Sequence, residues 1–258
     1  MIALVTGASS GIGAATARRL ARERDAHLVL VARREEKLRA LADELGGATV
    51  IALDLTDADA PARVRAALEA EHGGRLDLLV NNAGSSWNVD FAADDGGFEN
   101  VRRTMELNFD AQLRLTEALL PLLRASAPSA IVNVASTAGR VARGGGGAYS
   151  ASKFALIGWS DALYYEERPH GVHVGLVNPG FIATEGFPQR MLVDRRLTRW
   201  AVAKPATAAE AIVDAGLGRK PERYTPRAYW IAALLRIAAP RLVRRVLQRS
   251  GERLIARR

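Results

Sequence analysis

The chain has 258 residues, with 36 basic and 28 acidic side chains for a formal net charge of +8, 48% hydrophobic residues and no cysteine. This length and composition fit one sizeable α/β domain or two small ones and exclude disordered and collagen-like chains. Without cysteine there is no disulfide framework, thiol nucleophile or thiolate zinc site; of His27, His72, His170 and His173 the last two are three apart but sit at a strand entry that favours a structural role, and no carboxylates show ligand spacing, so no metal is expected.

Short runs rich in valine, isoleucine and leucine recur at Ile2 to Thr6, Leu28 to Val31, Thr49 to Leu53, Leu76 to Val80, Ala130 to Val134 and Val172 to Val177. Such nearly continuous apolar runs belong to strands buried on both faces. Between them, Ala14 to Glu23, Glu35 to Leu45 and Ala60 to Glu71 have helical spacing with one charged face. The alternation predicts a single-domain, Rossmann-type doubly wound parallel sheet of about seven strands over residues 1–226, with helices on both faces. A basic helical extension over 227–258 follows. Met1 leads straight into the first strand with no basic leader or cleavage site, so a cytoplasmic protein is expected. The longest apolar run, Ala228 to Pro240, is interrupted by Arg236 and is too short to cross a bilayer. The segment from Thr184 to about Lys204 holds Phe187, Pro188, Met191, Leu192 and Trp200, and reads equally as a substrate lid or as a short helix pair on the core.

The first strand runs into Gly7-Ala-Ser9-Ser10-Gly11-Ile12-Gly13, after which a helix starts. The spacing Gly-x-x-x-Gly-x-Gly departs from the Gly-x-Gly-x-x-Gly fingerprint. Its place between a strand and a helix argues for a dinucleotide pyrophosphate at the helix N-terminus, where unpaired N–H groups favour anions. The second strand ends at Ala32-Arg33-Arg34, where an NAD-binding protein usually carries an acid for the ribose 2′-hydroxyl. A guanidinium there pairs with a 2′-phosphate, so NADP(H) is preferred and NAD(H) is the alternative, with Arg33 the first candidate and Arg34 the second.

Tyr149 and Lys153 lie four apart on a predicted helix and share a face. A lysine ammonium beside a phenol lowers its pKa, so Tyr149 can give a proton to a carbonyl oxygen or take one from a hydroxyl. Ser136, directly after a strand, would hydrogen-bond the reacting oxygen. Taken singly, each reads as structural, because a Tyr-x-x-x-Lys pair is common on helices and a serine caps turns.

Together these motifs resemble the classical short-chain dehydrogenase/reductase family. Thr6 to Gly13, Asp54-Leu55, Asn81-Asn-Ala-Gly84, Asn108, Ser136, Tyr149-Ser-Ala-Ser-Lys153 and Asn178-Pro-Gly180 with Thr184 occur in the family's order, over residues 2 to about 216. The resemblance implies a catalytic set of Asn108, Ser136, Tyr149 and Lys153, with Lys153 also on the nicotinamide ribose and Asn108 anchoring a water in a proton path. It implies further cofactor contacts from the glycine turn, from Asp54 and Leu55 at the adenine, and from Ala83 and Gly84 beneath the adenosine ribose. Pro179, Gly180, Ile182 and Thr184 would meet the nicotinamide end, while Asn81 and Asn82 brace the sheet.

The expected function is NADP(H)-dependent interconversion of a carbonyl and a hydroxyl on a hydrophobic substrate. The rivals are an NAD-dependent secondary-alcohol dehydrogenase and a non-catalytic cofactor-binding or scaffolding protein. Candidates to line the substrate pocket are Trp87, Val141, Gly144 to Gly147, Phe181, Phe187, Met191 and Leu192; Arg140, Arg143 and Arg190 are the basic residues nearest to it in sequence. The resemblance also implies a homo-oligomer, dimer or tetramer, through helices around Met105 to Arg124 and Tyr149 to Arg168.

From Arg227 onward nine arginines (Arg227, Arg236, Arg241, Arg244, Arg245, Arg249, Arg253, Arg257, Arg258) face one acid, Glu252, so this extension carries +8 and residues 1–226 are neutral. Its apolar residues fall at helical spacing with a break and restart at Pro240. No specific nucleic-acid partner is expected, because the arginines form no recognition motif. Packing on its own domain or a sister subunit is favoured over peripheral contact with an anionic membrane.

Overall fold

In the computed structural model, which describes residues 1–185 and 201–255 and side chains as far as Gln248, seven parallel strands form one sheet. Six of them are the runs found in the sequence: β1 (Ile2–Thr6), β2 (His27–Ala32), β3 (Thr49–Ala52), β4 (Leu78–Asn81), β5 (Ser129–Val134) and β6 (Val172–Pro179). Helices α1 (Gly11–Leu20), α2 (Glu35–Glu44), α3 (Ala60–His72), α4 (Gly97–Met105), α5 (Ala111–Ala125) and α6 (Gly147–Glu167) fill the crossovers. A small ladder of β7 (Phe181–Ile182) and β8 (Val202–Ala203) precedes α7 (Pro205–Gly216) and β9 (Glu222–Thr225). The extension forms α8 (Tyr229–Ala238) and α9 (Pro240–Ile255), broken at Pro240 as expected. No helix among the described residues is long and apolar enough to cross a membrane.

The strands are hydrophobic throughout because successive residues enter opposite cores. Leu4 of β1 joins Val29, Val31, Leu79 and Ile131 under α3, α5 and α6. Its neighbours Ala3 and Val5 meet Leu28, Leu30, Val80 and Val132 under α1, α2 and α7. Each fully buried leucine contributes about 2 kcal/mol. The seventh strand of the sheet, β9, has the sequence Glu-Arg-Tyr-Thr and lies at an edge against β6, so it needs no apolar run. Its charges find partners: Glu222 accepts from Asn178 at 2.7 Å and from Arg140 at 3.0 Å, and Arg223 pairs with Asp214 at 2.5 Å.

The helix expected from Met105 begins earlier. It runs from Gly97, passes through a π turn over Glu106–Asp110 and continues as α5. One-turn π insertions of this kind recur at functional sites because they push a side chain off the regular ladder, and this one carries Asn108.

The sheet order β3-β2-β1-β4-β5-β6-β9 reverses direction between β1 and β4, which opens a crevice beyond the carboxyl ends of those strands. Thr6 closes the floor of that crevice: its hydroxyl donates to the Val80 carbonyl at 3.2 Å and accepts from the backbone N–H groups of Asn82 and Ala83, both at 2.9 Å. Thr6→Val keeps the shape and leaves buried N–H groups without an acceptor. We expect it to lower unfolding free energy by about 2 kcal/mol in a urea titration; an unchanged midpoint would show that the joint is held otherwise.

Candidate active site

A cavity of about 1000 Å³ occupies the crevice. It runs from Arg33 and Arg34, past Gly7, Ser10, Gly11 and Ile12, to Ser136, Tyr149, Lys153, Gly180, Ile182 and Thr184. The glycine turn forms its floor for two backbone reasons. Gly7 has φ +66°, in the left-handed region that side chains disfavour. A Cβ on Gly13 would run into the Gly7 carbonyl oxygen, so the start of α1 can approach the turn closely only without a side chain.

At one end the two arginines behave differently. Arg33 is largely exposed and reaches Asp54 at 3.6 Å. Arg34 lies across the glycine turn, donating to the Ser9 hydroxyl at 3.0 Å and the Ser10 hydroxyl at 2.8 Å. Beyond it, Lys37 of α2 pairs with Glu185 at 2.7 Å; the hydrogen bond and charge of Lys37, with a smaller effect from Arg34, hold the Glu185 carboxyl below its usual range.

At the other end α6 presents Tyr149 and Lys153 toward the cavity, with the lysine Nζ 5.9 Å from the centre of the phenol ring. Lys153 is buried and donates to the Val134 carbonyl at 2.9 Å; burial pushes its ammonium down to about 8. Burial likewise pushes the Tyr149 phenol up, against a smaller downward pull from its hydrogen bond with Ser136. Desolvation of the phenol is the larger of these two effects. The Ser136 hydroxyl also accepts from Ala138 N–H at 3.1 Å, capping a short 3₁₀ turn, and donates to the Pro179 carbonyl at 3.3 Å.

Asn108 stands behind this end, fully buried and outside the cavity wall. Its amide accepts from Ser85 N–H at 2.9 Å and donates to the Ser85 carbonyl at 2.9 Å and the Ser152 hydroxyl at 3.1 Å. Ser152 in turn donates to the Tyr149 carbonyl at 2.8 Å, so the π turn is tied to the helix turn bearing the tyrosine. A Cβ on Gly84 would lie 3.0 Å from Asn108 Oδ1 and 3.5 Å from Lys153 Nζ; the bare glycine lets the two converge.

Other expectations divide. Ala83, Gly84 and Pro179 line the cavity; Ser9, Asp54 and Leu55 do not. Ser9 is engaged by Arg34. Asp54 turns to Thr56, accepting from its N–H at 3.0 Å and its hydroxyl at 2.8 Å; despite the upward effect of partial burial, these bonds and Arg33 keep its carboxyl lowered. Leu55 buries its side chain in the core. Asn82 both braces the joint, donating to the Thr6 carbonyl at 2.9 Å, and lines the cavity. Trp87 is turned away under the Arg103 guanidinium, 4.9 Å from the ring, and Val141 continues the turn after Ser136 through an N–H bond to the Thr137 carbonyl. Phe187, Met191, Leu192 and Arg190 lie outside the described residues, as does most of the 184–204 segment.

The substrate end is more polar than expected. Phe181 and Gly144 to Gly146 do line it, alongside Ser85, Ser86, Asn88, Asp90 and Arg143, which hydrophobicity could not single out. Arg143 stacks on Phe181 at 4.5 Å, and Arg140 is taken up by Glu222. A run of small polar residues after Asn-Ala-Gly, unassigned to any helix or strand, was the available signal.

The sequence profile of the short chain dehydrogenases matches residues 1–191. The chain is 36% identical to a 3-oxoacyl-[acyl-carrier-protein] reductase of Escherichia coli over 188 residues, 71% of this chain and 74% of the relative. It is also 36% identical to a fatty acyl-CoA reductase of Mycobacterium tuberculosis over 257 residues, 97% of this chain and 85% of that protein. The crystal structure of a short-chain dehydrogenase from Streptomyces avermitilis superposes with a TM-score of 0.79 at 30% identity, covering 96% of this chain and 97% of the other.

The buried lysine has a measurable signature. Its folded value of about 8 lies below the ordinary 10.5, so between those pH values the unfolded chain binds more protons and stability rises with pH; below 8 the penalty is constant. Relative to Lys153→Met, the wild type should gain roughly 3 kcal/mol of unfolding free energy across that window. A difference that stays flat with pH in urea titrations would place the ammonium in a compensated environment.

Proposed function

The chain belongs to the short chain dehydrogenase family, oxidoreductases that interconvert carbonyl and hydroxyl groups with NAD(P)(H), and we propose that it works as an NADP(H)-dependent reductase of a carbonyl on a hydrophobic, acyl-chain substrate. The observation that carries this reading is the placement of the Tyr149 phenol in the cavity wall, hydrogen-bonded to Ser136 and with the Lys153 Nζ 5.9 Å from its ring centre. A reductase needs an acid at the carbonyl oxygen, and a neutral phenol is one.

In this reading Ser136 and Tyr149 bind the carbonyl oxygen and orient it. Tyr149 gives its proton to that oxygen as negative charge develops there, and the phenolate left behind lies beside Lys153, still largely an ammonium at neutral pH with a value of about 8. Asn108 positions: through Ser152 it fixes the α6 turn, and from the π turn it would hold a water that links Lys153 to solvent, so that a proton passed from Lys153 to Tyr149 is replaced from outside. The nucleotide supplies the hydride when bound. The bare glycine floor, Ala83, Gly84 and the Ile182 to Thr184 wall fit such a group; a Cβ on Gly11 would crowd Thr184 at 3.3 Å.

Arg33 and Arg34 support NADP(H) over NAD(H), since two guanidiniums border the cavity where an acid would serve a free ribose hydroxyl. Arg34, anchored on Ser9 and Ser10, is the better organised of the two and takes the larger share. The acyl-chain substrate rests on two of the relatives, a 3-oxoacyl-[acyl-carrier-protein] reductase and a fatty acyl-CoA reductase, and on Phe181, Val89 and Ala93 in the wall. The reading includes a homo-oligomer formed through α4 to α6, whose outer faces expose Phe98, Phe154 and Tyr165.

Tyr149→Phe removes the proton donor and leaves the cavity shape, so turnover of a ketone or aldehyde panel with NADPH should fall about 10²- to 10⁴-fold. Retained turnover would move the acid elsewhere. Arg34→Ala should weaken NADPH binding, read by nucleotide fluorescence, about tenfold or more while NADH changes little; parallel losses for both nucleotides would remove the 2′-phosphate role.

A further inference from the structure

We propose that α8 and α9 form a docking surface for an anionic lipid bilayer, and that this surface sets the mouth of the cavity against the bilayer. Beyond Tyr229 and Ala233, the described part of the extension leaves its large apolar side chains uncovered by the chain's own domain. Within α8, Ala233 alone is buried, while Trp230, Ile231, Leu234, Leu235 and Ile237 are exposed by 44% to 76%, and Leu242 and Val246 continue the exposed apolar surface on α9. Monomeric soluble proteins seldom present an apolar patch of this kind to water without a partner.

The charge selects that partner. Arg241, Arg244 and Arg245 are exposed on α9 beside the apolar residues, and the extension carries the whole +8 of a chain whose first 226 residues are neutral. At the junction of the two helices a recess is lined by Arg241 and Arg245 over Ala238, Pro240 and Leu242, which places two cations at the rim of an apolar floor. A phosphate headgroup above its acyl chains matches that arrangement. A second copy meeting the same face would bring two +8 surfaces together, and nucleic acid would leave five large apolar side chains of α8 unmatched. An anionic leaflet satisfies both the charge and the apolar area.

The attachment point gives the surface its use. Tyr229, the first residue of α8, lies so close on Gly180 that a Cβ there would be 2.8 Å from its ring. Its ring is edge-on to Phe181 at 6.4 Å, and its hydroxyl donates to the Ala201 carbonyl at 2.9 Å. Gly180 and Phe181 are cavity walls, so the surface helix starts against the wall of the cavity. An apolar substrate dissolved in the leaflet would enter without crossing bulk water.

Full-length protein sedimented with vesicles should partition onto phosphatidylcholine containing phosphatidylglycerol, stay in solution with phosphatidylcholine alone, and release as salt rises. The double variant Leu234→Glu with Leu242→Glu should lower partitioning about tenfold or more, as should Arg241→Ala with Arg245→Ala, which leaves the apolar face intact. Circular dichroism and the sedimentation coefficient should stay those of the parent. Failure of the folded parent to bind phosphatidylglycerol vesicles overturns the proposal, as does binding that neither double variant weakens. A sedimentation coefficient that falls in the glutamate variant also overturns it and assigns the face to a second copy. Vesicle binding does not depend on the nucleotide or the reaction, so failure of the reductase reading would leave this result standing.

Discussion

Three hydrogen bonds meet at the Thr6 hydroxyl, and the geometry of the crevice depends on them. They tie the carboxyl end of β1 to the turn leaving β4 at the point where the sheet changes its winding direction, so the glycine turn and the Asn-Ala-Gly turn are held face to face. From there a chain of buried amides continues across the sheet: Asn81 donates to Thr116 of α5 and to Asn133 of β5, and Asn133 donates to Ser160 of α6, each at 2.9 Å. Polar groups so placed have no water to fall back on, which gives the strands and helices one mutual arrangement. Tyr149 and Lys153 inherit their position from it, because they project from the same α6.

Electrostatics at the reacting end follow from that enclosure. Lys153 is buried beside a backbone carbonyl, and the cost of desolvating it appears as a lowered ammonium value. Tyr149 shows the mirror effect, an acid kept neutral by the same lack of water. A lysine that weakens the fold and a phenol that resists ionisation make a poor structural pair, and shifted groups gathered in one cavity are what the proposed proton transfer calls for.

Much of this was legible in the sequence because the responsible physics is local. Apolar runs of valine, isoleucine and leucine located β1 to β6, since both faces of each strand are covered; β9 escaped because an edge strand with Glu222 and Arg223 needs no such run. The Gly7 to Gly13 turn, Ser136, Tyr149 and Lys153 were found from residue type and spacing; Gly7, Ser10, Gly11, Ile12, Ser136, Tyr149 and Lys153 line the cavity, while Ala8, Ser9 and Gly13 do not. What spacing could not supply was direction. Leu55 points into the core, Trp87 lies under Arg103, and Arg34 rather than Arg33 spans the glycine turn, all outcomes of contacts between residues far apart in the chain.

The separation of charge between a neutral catalytic body and a basic extension also governs how the protein behaves in hand. Its isoelectric point of about 10.4 is set by the arginines after residue 226, so retention on a cation exchanger or mobility in a native gel reports the state of those two helices. A preparation clipped just before Arg227 would have lost nine arginines and one glutamate, and would elute as a nearly neutral protein.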